Sequence, residues 1–176
     1  YKSHLKGLLL GHVQSGKTSQ MLAAISALAD QGIKLFILLT SDMTKLQEQT
    51  LKRAFKFLPR EFNVCDETDA MRFKEMDLRT PTILVLKKNS RVLKSWKREL
   101  FAFERCKYEP TVFFDDEADA ASLNTKINQK EVSAINKLLN EIVQIPPCSM
   151  YIQVTATPQA IILQTIQSGW KPKMVH

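Results

Sequence analysis

The sequence predicts an α/β domain in which a mainly parallel sheet of at least five strands is covered by helices on both faces. Short, continuous and often β-branched apolar runs recur along the chain, and such runs are typical of strands buried on both faces. Helical stretches separate these runs, so the predicted order is βαβαβαβαβα, the pattern of a three-layer α/β domain. The chain has 176 residues, 44% of them apolar, which suits one domain with a substantial core.

The predicted elements of the first half follow this alternation. A strand at 7–10 leads through a glycine-containing loop into a helix over 17–29, where apolar residues recur at helical spacing. A second apolar run at 33–39 precedes a helix over 43–57. Pro59 ends that helix, because proline cannot donate the next backbone hydrogen bond.

The second half continues the pattern after a poorly periodic stretch. Residues 60–80 are predicted to form a loop with a short strand at 62–65. The later strands are predicted at 82–86, 111–114 and 149–154, and the later helices at 91–103, at 131–145 and from 159 onward. Residues 119–129 are predicted to form a loop, and 168–176 a frayed tail or the start of a connector. Four phenylalanines at helical spacing are expected in the core, and Trp96 is expected to face solvent or another domain. These phenylalanines are Phe55, Phe57, Phe101 and Phe103.

The charge and the cysteines restrict the class of protein. A net charge of +7 and a pI of about 9.4 favour polyanionic partners. The three cysteines form no CxxC pair, so they lack the spacing of a zinc site and suit a reducing cytosol. The sequence shows no signal-peptide pattern and no apolar stretch near the roughly 20 residues that a membrane span needs. We therefore expect a cytoplasmic protein with no membrane partner. The first motif follows Tyr1 within a few residues, so we expect residues 1–176 to be one domain of a longer protein.

The segment GHVQSGKT, residues 11–18, matches the phosphate-binding loop G-x-x-x-x-G-K-[ST] at each fixed position. Its glycines allow a tight turn in which backbone N–H groups face the phosphates, and the next helix directs its positive end to the same place. Lys17 is expected to contact the β- and γ-phosphates, and the Thr18 hydroxyl to bind magnesium. The predicted cofactors are ATP and Mg²⁺. The predicted phosphate contacts are Gly11, Gln14, Ser15, Gly16, Lys17, Thr18 and Ser19.

An apolar strand that ends in carboxylates predicts the second half of the same site. Asp115, Asp116, Glu117 and Asp119 follow the run at 111–114. Carboxyl ends of parallel strands form the edge where ligands bind in open α/β sheets. We assign Asp116 to magnesium and Glu117 to the general base, with Lys17 as the second catalytic residue. Asp115 is an alternative metal ligand, because a shift of one residue changes which acid points toward the metal.

A third motif, TATP at 155–158, ends the last predicted strand. Its small hydroxyl residues Thr155 and Thr157, with Ala156 between them, are expected to couple the γ-phosphate to the rest of the domain. With GHVQSGKT and DEAD (116–119), this order resembles motifs I, II and III of the first RecA-like domain of superfamily 2 helicases and translocases. The segments TSDMTKLQEQ from Thr40 and LKKNSRVL from Leu86 are similar to motifs Ia and Ib.

The combination of GHVQSGKT, FFDDEADAASLNT and VTATP resembles most closely the bacterial restriction and phage-defence ATPases that carry a Z-one domain. This resemblance implies a RecA-like fold in which the motif III strand lies between the strands of motifs I and II. It also implies a nucleic-acid partner, a nuclease or other defence-system partner, and a second RecA-like domain that supplies an arginine finger. DNA is the expected nucleic acid, and the sequence itself does not distinguish it from RNA. No motif IV to VI region occurs in the sequence. Since such an arginine contributes about 10³ to 10⁵ in rate, we expect this chain to be a weak ATPase by itself.

The resemblance also implies which residues hold nucleic acid. In such motors, the ends of the second and third strands bind the phosphodiester backbone, in a largely sequence-independent and salt-sensitive way. The corresponding residues here are Thr40, Ser41, Lys87, Lys88 and Asn89. Two other functions remain open at this point. One is a nucleotide-gated scaffold that recruits a nuclease without translocation, and the other is a P-loop phosphotransferase.

Overall fold

The chain folds around one parallel sheet. The structure is a computed structural model, and it describes residues 3–10, 16–116, 126–155 and 174–175. The strands are β1 (Ser3–Leu10), β2 (Leu35–Thr40), β3 (Asn63–Asp66), β4 (Thr82–Lys87), β5 (Thr111–Asp116), β6 (Cys148–Thr155) and β7 (Met174–Val175). The helices are α1 (Lys17–Asp30), α2 (Thr44–Phe57), α3 (Ala70–Glu75), α4 (Ser90–Ala102) and α5 (Lys126–Val143), with a 3-10 helix at Glu104–Lys107.

The sheet has the order β3-β4-β2-β5-β6-β1-β7, and all its strand pairs are parallel. This arrangement confirms the predicted three-layer α/β class. It also places β6, the strand that ends in Thr155, between β1 and β5, as the resemblance implied. Strand β1 precedes the phosphate-loop segment, and β5 ends in the acidic run. These two strands therefore lie on either side of β6.

Two apolar cores cover the two faces of the sheet. Because successive side chains of a strand point to opposite faces, β2 sends Ile37 to one core and Leu38 to the other. The first core contains buried side chains of α4 and α5, and it also includes Phe113 and Tyr151. The second contains the apolar side of α1 and Ala54 of α2, together with Phe114. Each helix layer thus excludes water from one face of the sheet.

The structure corrects several boundaries. Helix α3 lies within 60–80, which the sequence predicted as a loop with one strand; with six residues it is too short to show a clear period. Its Phe73 is fully buried against Trp96 and Phe103. Helix α5 begins at Lys126, inside the predicted loop 119–129. Two residues of the predicted tail form β7, which pairs with β1 at Gly7 and Leu8.

The aromatic expectations were mostly wrong. Phe55, Phe57 and Phe101 are 56 to 67% exposed, because they lie on the outer sides of α2 and α4. Phe103 is buried as expected, whereas Trp96 lies in the core instead of facing solvent. The indole Nε1 of Trp96 donates to the Glu67 carbonyl at 3.2 Å, so burial leaves this polar group paired.

Candidate nucleotide site at the carboxyl edge of the sheet

Gly16 begins helix α1 in a backbone conformation that favours glycine. Its φ is 72° and its ψ 31°, in the left-handed region. Its carbonyl accepts from the N–H groups of Ser19 at 2.8 Å and Gln20 at 3.1 Å, so the helix starts immediately after it. The space around a side chain at this position is open, so the backbone conformation is what requires glycine. The first-turn residues Lys17, Thr18 and Ser19 follow this turn directly.

A polar cavity of about 380 Å³ lies beside this helix start. It is bounded by the first turn of α1, the end of β2, the side of α2 and the end of β5. Lys17, Thr18 and Asp116 all line it, so the structure brings together three residues of two predicted motifs that are about a hundred positions apart. The other lining residues are Gly16, Thr40, Ser41, Leu46, Gln49, Thr50 and Arg53.

Two side-chain oxygens on the wall of the cavity show how it suits a polar ligand. The Thr18 hydroxyl is buried, and it accepts from Arg53 Nη1 at 2.9 Å. Ser41 Oγ is also inaccessible to solvent and has no hydrogen-bond partner among the described residues. A buried hydroxyl without a partner costs free energy, so Ser41 Oγ is suited to a polar group of a ligand. With Lys17 and Asp116, these oxygens fit a phosphate group accompanied by a divalent cation.

The two neighbouring acids of β5 point to opposite faces of the sheet. Asp116 lines the cavity, on the face covered by α1 and α2. Asp115 lies on the other face and is only 5% exposed. Its Oδ1 pairs with Lys88 Nζ at 2.6 Å, and its Oδ2 accepts from the Tyr151 hydroxyl at 2.6 Å. Both oxygens of Asp115 are engaged on the face of the sheet away from the cavity, whereas Asp116 lines the cavity, so position favours Asp116 as the acid that a metal there would meet.

Tyr151 is fully enclosed beneath Asp115. Burial, followed by the negative charge of Asp115, raises the pKa of Tyr151 well above its ordinary value of 10.0, so the phenol stays protonated and donates. The ring packs against Phe113, with 6.2 Å between ring centroids. The Lys88, Asp115 and Tyr151 side chains therefore join the ends of β4 and β5 to β6. We call this group the Asp115 cluster.

Four of the five residues predicted to hold nucleic acid make polar side-chain contacts within the described part of the domain, and Ser41, described above, is the exception. Thr40 is 2% exposed, and its hydroxyl lies 3.2 Å from the Ser41 carbonyl oxygen. Lys88 belongs to the Asp115 cluster. Asn89 caps α4 by accepting from the Val92 N–H at 2.8 Å, and its amide donates to Asp42 at 2.5 Å.

Lys87 belongs to a second polar group, centred on Glu67. Lys87 Nζ lies 3.0 Å from Glu67 Oε1, and both side chains are less than 20% exposed. Gln47 of α2 donates to the other carboxylate oxygen of Glu67 and to the Val85 carbonyl. Sequence reasoning did not find Glu67, since it lies in the segment without clear periodicity. The signal that could have found it is its position two residues after the predicted strand at 62–65 and directly after β3.

Thr155 is fully buried at the carboxyl end of β6, in register with Leu10 of β1. Its neighbour Val154 is in register with Asp116, so Thr155 lies next to the ends of both flanking strands. The other members of the predicted motifs lie outside the described residues. They are Gly11, Gln14, Ser15, Glu117, Ala156 and Thr157.

The sequence motifs also missed Arg53 and Tyr151. Nothing in the sequence separates Arg53 from its basic neighbours Lys52 and Lys56, because only the packing of α2 against α1 decides which one reaches the cavity. Within the described part of the chain, no group of three or more His, Cys, Asp or Glu side chains is arranged to hold a metal ion. A magnesium ion here would therefore depend on Thr18, Asp116 and the ligand's own oxygens.

Comparison with known proteins adds a structural neighbour. No protein-family model matches the chain, and no curated protein matches it. Its fold is similar to that of a nuclease-deletion mutant of the Type ISP restriction-modification enzyme LlaGI, solved in complex with a DNA substrate mimic. The TM-score is 0.57 at 16% sequence identity, and the match covers 86% of this chain but 15% of the LlaGI chain. At this identity the likeness establishes the fold alone. Among the described residues, no helix is long and apolar enough to cross a membrane.

Proposed function

We propose that this chain is the ATP-binding domain of a superfamily 2 helicase-type motor, which couples hydrolysis of Mg-ATP to work on nucleic acid. The observation that carries the proposal is the cavity shared by Lys17, Thr18 and Asp116. A phosphate-loop lysine and threonine facing a strand-end acid form the constellation by which P-loop proteins hold a magnesium-bound triphosphate.

Each residue has a role in this proposal. Lys17 neutralises the β- and γ-phosphates, while Thr18 and Asp116 hold the metal. Bound magnesium would supply charge stabilisation to the phosphoryl group during transfer. Glu117, outside the described residues, orients the attacking water and takes its proton. Thr155, Ala156 and Thr157 transmit the state of the nucleotide from the end of β6.

The proposed substrate of the motor is DNA, within a restriction or phage-defence system. The fold of a restriction enzyme captured with a DNA mimic and the net charge of +7 support it. Because the match spans only 15% of that enzyme, we propose that this domain acts beside a second RecA-like domain in a longer protein. Without the arginine of such a domain, hydrolysis would be slow.

One observation favours a second candidate function. The ammonium groups of Lys87 and Lys88 are held in ion pairs with Glu67 and Asp115. These contacts would have to open before either lysine could grip a phosphodiester backbone. A nucleotide-gated scaffold that recruits a nuclease without translocation needs no such grip, and it uses the same ATP site.

Calorimetric titration with ATP, with and without Mg²⁺, tests the proposed site. We expect Lys17→Ala to weaken binding of Mg-ATP about 10- to 100-fold, because losing a hydrogen bond to a charged group costs about 1.5–3 kcal/mol. Lys94→Ala, on the exposed side of α4, is the matched control and should bind like the wild type. Equal binding by the Lys17→Ala variant and the wild type would contradict the site.

A second measurement separates the motor from its alternatives. Duplex DNA should stimulate ATP hydrolysis by the longer protein that contains this domain. Unchanged hydrolysis with intact ATP binding would favour the scaffold. Phosphorylation of a small acceptor, without a response to DNA, would favour a phosphotransferase.

A further inference from the structure

Arg53 occupies an unexpected position in the cavity. It lies on α2, in a different motif region from the phosphate loop, and its guanidinium contacts the Thr18 hydroxyl at 2.9 Å. It therefore places a permanent positive charge against the oxygen assigned to magnesium in the proposed function. Arg53 is exposed overall, so its side chain is not locked in place by packing.

This contact is incompatible with a bound metal as it stands. A guanidinium and a divalent cation at the same hydroxyl would repel each other strongly. The guanidinium would then need an anionic partner close by. Phosphate oxygens are such partners, because a guanidinium can bind two of them in parallel.

The location of Thr18 defines which phosphate is within reach. In the proposed function, Thr18 would hold the magnesium ion that accompanies the terminal phosphates, and that ion would supply positive charge there. A guanidinium beside the metal's hydroxyl ligand therefore lies at the terminal end of the triphosphate, away from the nucleoside. Thr50, one turn earlier on α2, lines the same wall of the cavity and keeps this region polar.

We propose that Arg53 binds the terminal phosphate of ATP, exchanging its contact with Thr18 for the γ-phosphate when Mg-ATP enters. This inference rests on the proposed function of the cavity. It gives the domain a phosphate-binding arginine of its own, which selects a triphosphate over a diphosphate. The Arg53 side chain links α2 to α1. Its change of partner therefore makes the contact between these two helices depend on whether the γ-phosphate is bound.

The experiment compares binding of Mg-ATP and Mg-ADP to the 176-residue chain by calorimetry. We expect Arg53→Gln to lose about tenfold in ATP affinity, the loss that removal of one charge-assisted hydrogen bond produces. Its ADP affinity should stay within about twofold of the wild type, because ADP lacks the phosphate that Arg53 contacts. Lys52→Gln removes the same charge from an exposed neighbouring position and should leave both affinities unchanged.

The remaining outcomes would overturn the inference in distinguishable ways. Equal losses for ATP and ADP would make Arg53 only a brace between α1 and α2. Tighter binding of ATP by Arg53→Gln than by the wild type would mean that the Arg53 guanidinium hinders ATP binding. If the wild-type protein binds neither nucleotide, both the proposed function and this inference are refuted. If the wild type binds ATP and the ratio of ATP affinity to ADP affinity is the same in Arg53→Gln, only this inference is refuted.

A second variant keeps the test decisive if Arg53→Gln does not fold, as judged by thermal unfolding without nucleotide. Arg53→Lys preserves the charge but lacks the two-point geometry of the guanidinium. It should lower the ATP-to-ADP affinity ratio by about threefold, less than the glutamine variant because the charge remains. An unchanged ratio in a folded Arg53→Lys protein would then refute the role of Arg53.

Discussion

Asp115 and Asp116 are adjacent in the chain and lie in two different environments. Asp116 faces the cavity beside Lys17 and Thr18. Asp115 is buried on the opposite face, where Lys88 and Tyr151 occupy both of its oxygens. The alternation of the strand is the whole cause of this difference. The difference between the two acids shows that consecutive positions of one acidic run can supply a carboxylate that faces a ligand cavity and a carboxylate that holds the fold together.

The comparison extends to the surroundings of each acid. Around the cavity, Ser41 Oγ has no partner among the described residues, and Arg53 is exposed. The members of the Asp115 cluster instead pair with one another and join the ends of β4 and β5 to β6. A hydroxyl without a partner and an exposed guanidinium suit a site that exchanges ligands, whereas buried pairs suit a fixed frame for that site.

The largest expected effect is the loss of stability in Asp115→Ala. The substitution leaves the ammonium group of Lys88 without its carboxylate in a place where that side chain is 13% exposed. Breaking a buried pair in this way costs about 3–5 kcal/mol. Urea unfolding, followed by circular dichroism, should show this loss in the free energy of unfolding.

Asp116→Ala is the matched control for that prediction. Its carboxylate faces the cavity, so we expect a change in stability within about 1 kcal/mol. Binding of Mg-ATP should nevertheless fall sharply in this variant. If Asp115→Ala stayed stable and lost magnesium-dependent binding, the two acids would have the opposite roles.

The sequence predicted the class of fold but not these environments. Strands β2, β4 and β5 were recognisable because their residues are apolar on both faces. Lys87 and Lys88 appeared as strand-end cations, but their partners Glu67 and Asp115 are 20 and 27 positions away. Only the strand order shows that these charges meet. Similarly, the spacing of Phe55 resembled a core position, yet the sheet covers a different side of α2.

A smaller effect is expected from Tyr151→Phe, which tests whether the cluster depends on the phenol. The variant removes a hydrogen bond to a charged acceptor while keeping the ring against Phe113, so about 1.5–3 kcal/mol of stability should be lost. The loss has a defined pH dependence. Since the pKa of Tyr151 is raised in the folded state, its contribution is complete below the ordinary value of 10.0 and declines as pH rises above it.

Urea unfolding of both proteins between pH 7 and 11 measures that dependence. The difference between wild type and Tyr151→Phe should be constant up to about pH 9 and shrink beyond pH 10. A difference that grew with pH would mean that the phenol is ionised in the folded protein. In that case Asp115 would need another neutralising partner besides Lys88.

The smallest effect is expected at an ion pair outside the cluster, between Lys97 of α4 and Glu141 of α5. Their atoms lie 2.8 Å apart, much as in the Lys88–Asp115 pair, but their side chains are 40% and 36% exposed. Solvent screens such pairs, so Lys97→Ala should leave the urea midpoint unchanged within error. If it destabilised the domain as much as Asp115→Ala, burial would not explain the difference between the two pairs.

The same variant has a local effect that is measurable without unfolding. The hydrogen bond from Lys97 lowers the pKa of Glu141 below its ordinary value of 4.5. Carboxyl NMR titration should therefore show that pKa rise toward 4.5 in Lys97→Ala. Because the folded-state pKa is lowered, whatever stability the pair contributes is present above pH 4.5 and disappears as pH falls through the lowered value. An exposed ion pair can thus lower the pKa of its carboxyl group without a measurable effect on the free energy of unfolding, whereas the buried Asp115 cluster affects that free energy.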